Sequence, residues 1–92
     1  MKEIERLITK NLQEGNVTAV LQADSAVGKP EWEISLEMPG SDPHVWAYAG
    51  YIGDDFYREL NAFLSQHVTS ESLRGLIRVT LEDMMRELDK TD

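Results

Sequence analysis

The sequence predicts an α+β fold: a three-stranded antiparallel meander with helices packed on one face, in the order α-β-β-β-α-α. Three observations predict it. Apolar residues recur at helical spacing near both ends of the chain. Between Val17 and Ile52 the pattern shortens to brief apolar or alternating runs, the clearest being Glu31-Trp32-Glu33-Ile34-Ser35-Leu36-Glu37-Met38. Clusters of Gly, Pro, Ser and Asp separate these runs at hairpin distance. The 92 residues are expected to form one small globular domain, 1–92, burying somewhat over ~60% of the unfolded surface.

The first segment, Lys2 to about Gln13, reads as a helix, with Ile4, Leu7, Ile8 and Leu12 on one face and Lys2, Arg6 and Lys10 opposite. Gly15-Asn16 would stop it, since both residues tolerate the left-handed backbone. Val17 to Ala23 reads as the first strand and Asp24 to Pro30 as a turn or loop. Glu31 to Met38 is the second strand. Pro39-Gly40-Ser41-Asp42-Pro43 breaks the chain before a third, uncharged strand, Val45 to Ile52. Gly53-Asp54-Asp55 opens a second helix with Phe56, Leu60, Phe63 and Leu64 on its buried face, ending near His67-Val68. Thr69-Ser70-Glu71-Ser72 supplies capping residues for a third helix, which runs to about Asp89. Its apolar stripe contains Leu73, Leu76, Ile77, Leu81, Met84, Met85 and Leu88. Gly75 sits on the polar side of that helix, at a cost of roughly 1 kcal/mol against Ala, with no reason apparent in the sequence.

Composition narrows the function classes. Two Trp, three Tyr and two Phe within a 41% hydrophobic chain argue against intrinsic disorder. Without cysteine there are no disulfides, no thiol catalysis and no cysteine-held metal, which fits a reducing compartment. No apolar run approaches the ~18 residues of a membrane span, and Met1-Lys2-Glu3-Ile4-Glu5-Arg6 lacks a signal-peptide core. The chain is therefore expected to be cytoplasmic. A net charge of -8 opposes general binding to nucleic acid or to anionic membranes and favours a basic partner.

That charge is local. Eight carboxylates against Lys29 alone lie between Glu14 and Asp55, a net -7 out of -8. On the second strand Glu31, Glu33 and Glu37 project to one side, about 6–7 Å apart where they alternate. They sum into a negative potential that would dock a basic protein. The competing reading is a solvated sheet face, although Glu is a poor strand former. The third strand is apolar on both faces. Trp46, Tyr48, Gly50 and Ile52 are the bulkier set and are expected inside. That would leave Val45, Ala47 and Ala49 exposed beside the acids, with Tyr51 at the end as an aromatic anchor.

Other constellations carry less. Arg74, Arg78, Glu82, Arg86 and Lys90 recur every four residues along the last helix and read as a solvated, ion-paired ridge. Asp54-Asp55 reads as helix-start chemistry before it reads as a metal site. Asp42 and His44 are weak ligand candidates. His67 reads as a partly buried histidine whose ring bonds a terminal carbonyl, before it reads as a catalytic base. Calcium loops, phosphate-binding glycine loops and zinc spacings do not occur. No catalytic residues, cofactor or metal are assigned, and the chain is read as a non-enzyme.

The expected function is a small acidic protein-binding module of the inhibitor, immunity-protein, chaperone or adaptor type. It would dock a basic partner through Glu31, Glu33, Glu37 and Tyr51. The alternative is a structural homodimer that buries the apolar third strand or the Met84-Met85 stripe of the last helix.

Overall fold

The computed structural model describes residues 2–11, 15–23, 28–37 and 40–90. Four strands, β1 (Lys2–Asn11), β2 (Gly15–Ala23), β3 (Pro30–Glu37) and β4 (His44–Ala49), form one antiparallel sheet in sequential order. Two helices follow, α1 (Asp54–His67) and α2 (Glu71–Lys90), and both contribute to one core with the sheet. The fold is α+β with a meander topology, but it has four strands and its order is β-β-β-β-α-α.

The first segment is the correction. Lys2–Asn11 is an edge strand paired to β2, not a helix. Ile4 and Ile8 share a helical face because they are four apart, but an even spacing also puts them on one face of a strand. Ile4 is buried opposite Leu21 of β2, and Ile8 packs against the core from a bulge between Leu7 and Thr9. Leu7, which made the pattern look helical, points away from the core and is 51% exposed. Pairing with β2 supplies the partner that β2's outer edge needs, and tertiary context of this kind overrides weak local propensity. Gly15, expected to end a helix, opens β2 with φ 75°. Leu12 and Gln13 of the expected first helix, Asp24 to Val27 of the first loop, and Met38 and Pro39 after the acidic strand lie outside the described residues.

Alternation sorts the sheet into two faces. Val17, Ala19 and Leu21 of β2, Trp32, Ile34 and Leu36 of β3 and Trp46 of β4 point inward and are buried. Phe56, Leu60 and Leu64 of α1 and Leu73, Ile77, Leu81, Met84 and Leu88 of α2 meet them. Each Val, Leu, Ile, Phe or Met among them contributes roughly 1.5–3 kcal/mol through its removal from water. Phe56 is the hub of an aromatic group. Its ring lies 5.1 Å from Trp32, 5.5 Å from Trp46 and 5.4 Å from Tyr48, each edge to face.

The helix ends differ from one another. Ser70 caps α2, its hydroxyl accepting the Leu73 N–H at 3.2 Å. At α1 the cap is Gly53, with no side-chain bond. Asp54 and Asp55 therefore act on the helix dipole rather than as caps, and Asp55 also pairs with Arg58. The expected ridge on α2 finds other partners. Arg78 donates to Asn61 of α1 at 3.0 Å, Glu82 accepts from the Tyr57 hydroxyl, and Arg86 pairs with Asp83. Burial and the Glu82 carboxylate push the Tyr57 phenol up to about 12.

Candidate protein-docking face

The face of the sheet turned away from the helices is built in rows. The pairing register aligns Glu3, Gln22, Glu31 and Ala49 across all four strands. The next row is Glu5, Val20, Glu33 and Ala47, and the third is Leu7, Thr18, Ser35 and Val45. Glu3, Glu5, Glu31 and Glu33 are exposed, as are Val45, Ala47 and Ala49. Strands lie about 4.8 Å apart and alternate residues about 6.7 Å apart. The four carboxylates therefore mark the corners of a patch roughly 10 by 7 Å, with Gln22 and Val20 between them.

The first two rows enclose a shallow depression of about 510 Å³ that runs across the sheet from Glu3 and Glu5, over Val20, to Ala47 and Ala49. Its wall on the β1 side is held in place, because the Gln22 amide donates to Glu3 at 2.6 Å. None of the side chains that line the depression is basic. Like charges at these separations repel and add into one negative field directed at solvent.

The expected site residues divide. Glu31 and Glu33 lie in the depression. Glu37 is exposed on the same strand face, but it sits two residues beyond Ser35, opposite Asn16, and does not line the depression. Tyr51 follows β4 and is 61% exposed, with its hydroxyl donating to the Gly28 carbonyl at 3.0 Å. It works as a staple between the segment after β4 and the turn before β3. Two neighbouring bonds reinforce that staple, Gly50 N–H to Pro30 O at 2.8 Å and Trp32 Nε1–H to Gly50 O at 2.9 Å.

Reading the first segment as a helix hid Glu3 and Glu5. A signal was present: Glu3-Ile4-Glu5 alternates as Glu31-Trp32-Glu33 does. The bulkier residues of β4 do face inward, with Trp46 buried and Tyr48 half-buried against it, their rings 5.7 Å apart and nearly parallel. Of the Met84-Met85 stripe, Met84 is buried in the chain's own core and Met85 is half-buried against it.

The histidines lie on the other side of the sheet. His44 at the start of β4 stacks on His67 at the end of α1, with ring centroids 4.1 Å apart, and His67 also touches Phe63. His67 is held below its ordinary range, first by partial burial and then by the neighbouring His44. Among the described residues no three His, Asp or Glu side chains are grouped to hold a metal ion. Among the same residues no helix is long and apolar enough to cross a membrane. No protein-family model matches the chain, and comparison with curated proteins and with solved structures finds no significant similarity.

Proposed function

We propose that this chain is a small acidic protein-binding module whose open sheet face docks a basic protein partner. One observation carries the reading: the register gathers Glu3, Glu5, Glu31 and Glu33 around a shallow depression, with the uncharged strip Val45, Ala47 and Ala49 beside it. Carboxylates on a sheet face steer a cationic partner into register, and an apolar strip next to them gives it surface to bury. Glu37 and the exposed ring of Tyr51 extend the contact at its margins.

The module is non-enzymatic in this reading. Glu3, Glu5, Glu31 and Glu33 are exposed and neither histidine lies on their face, so among the described residues no histidine–carboxylate pair forms there. The lack of cysteine fits action in the cytoplasm. An inhibitor, an immunity protein, a chaperone or an adaptor would each use such a face.

Affinity capture from source cells tests the reading, with the native chain and a Glu31→Lys/Glu33→Lys variant run side by side at low and high salt. A basic protein retained by the native chain alone, and eluted by salt, supports it. Equal capture by both chains refutes it. Sizing chromatography of the same preparations detects a homodimer, for which exposed Val45 on β4 and exposed Leu76 and Val79 on α2 offer apolar surface to bury.

A further inference from the structure

The two edges of the sheet are built differently. β1 carries Glu3, Glu5 and Arg6 and is interrupted by its bulge, and Arg6 is tied down to Glu87 of α2. Charges and bulges are how native sheets discourage further strand pairing. β4 has neither. Its six residues, His44-Val45-Trp46-Ala47-Tyr48-Ala49, contain no Asp, Glu, Lys, Arg or Pro, and they pair with β3 in unbroken register from Leu36 to Glu31. Among the described residues no strand pairs with the other side of β4.

We propose that the free edge of β4 receives an extended segment of the basic partner as a fifth strand. The residues of that segment alternate between Lys or Arg on the acidic face and apolar side chains on the helix face. This rests on the docking function above and specifies how the partner is held.

The side chains bordering β4 select this occupant. Ala47 is in register with Glu33, and Ala49 with Glu31. A strand added beyond β4 runs about 10 Å from the backbone of Glu31 and Glu33, two strand spacings away. Only a long cationic side chain bridges that gap, its stem lying over the alanine methyl and its head reaching the carboxylate. A large residue at position 47 or 49 would block the path. On the helix face β4 presents half-buried Tyr48 and buried Trp46, with half-buried Phe63 of α1 beside Trp46, which favour apolar residues at the intervening positions. A second copy fits poorly. Each chain carries -8, and edge-to-edge pairing would set two acidic faces side by side, with their Glu31 and Glu33 rows only about 14 Å apart. Backbone pairing supplies affinity and the alternating side chains supply selectivity, as in other strand-addition complexes.

The test uses a fluorescein-labelled, end-capped peptide of alternating Arg and Val. Two control peptides carry N-methyl groups on every Arg amide or on every Val amide. Methylation keeps the charge and the side-chain order but removes the N–H groups along one edge of the peptide. The parent peptide is expected to bind at low salt, and one methylated peptide to bind at least about tenfold more weakly. Amide hydrogen exchange should slow across Val45–Ala49 and stay unchanged in β1. If both methylated peptides bind as well as the parent, or if β4 exchange does not slow, the fifth-strand proposal is overturned. The docking function itself survives that result provided Glu31→Lys/Glu33→Lys still abolishes peptide binding. No binding by the parent peptide overturns the proposal outright.

Discussion

Replacing Glu33 by Gln is expected to stabilise this protein, and to do so more at low salt. Glu33 faces Glu31 about 6.7 Å along its own strand and Glu5 about 9.6 Å across β2, with Glu3 on the diagonal at about 12 Å. In water, unit charges at these distances repel by about 0.6, 0.4 and 0.35 kcal/mol. Screening at about 0.15 M salt, where the Debye length is ~8 Å, reduces the total to about 0.5 kcal/mol. At about 0.01 M the Debye length is ~30 Å and about 1 kcal/mol remains. For a domain of this size, that raises the melting temperature by about 2–4 °C in the first condition and about 4–8 °C in the second. Thermal unfolding followed by circular dichroism at both salt concentrations measures it. A lower melting temperature would mean that the Glu33 carboxylate is used inside the fold. A rise of equal size at both salts would mean that its effect is not electrostatic. Either result refutes the view that this face costs the fold stability through self-repulsion, which a cationic partner would relieve.

Three further outcomes follow from the packing. Phe56→Ala opens a cavity between Trp32, Trp46 and Tyr48 and should cost about 3–5 kcal/mol, a large share of the ~5–14 kcal/mol available to a domain of this length. Urea unfolding measures the loss, and one below about 1 kcal/mol would contradict the hub assignment. Gly50→Ala should cost about 1–3 kcal/mol. The backbone there has φ 144°, and an added Cβ would meet the Tyr48 ring at 3.1 Å; a neutral change in urea unfolding would show that the segment relaxes. Acidification should weaken the fold through His67. Its folded pKa lies below the 6.5 of an unperturbed histidine, so between those two values the unfolded chain binds more protons, and this contribution falls as pH drops below 6.5 while remaining complete above it. Comparing urea midpoints at neutral and mildly acidic pH for the native chain and His67→Phe isolates the contribution, which is disproved if both lose stability in parallel.

Local pattern was sufficient for the elements that fit one period only. The helices carry apolar sets that no single strand face holds: Phe56, Leu60, Phe63 and Leu64, and Leu73, Ile77, Leu81, Met84 and Leu88, in which Phe63 and Met84 break the even spacing. Glu31 to Glu37 alternates too strictly to be anything but a strand with one acidic face. Binary patterning also gave the correct inner face for β4, because Trp46 and Tyr48 bring more surface to bury than Val45 and Ala47. Long-range pairing resolved what local pattern leaves degenerate. Ile4 and Ile8 satisfy a helix and a strand equally. Lys2–Asn11 became a strand because β2 offered it an open edge and a core-facing neighbour at Leu21, interactions between residues nearly twenty positions apart. That pairing also completed the site. Glu3 and Glu5 join Glu31 and Glu33 only because hydrogen bonding through β2 aligns residues distant in the chain into shared rows. Such a register is a property of the assembled sheet, and no single segment contains it.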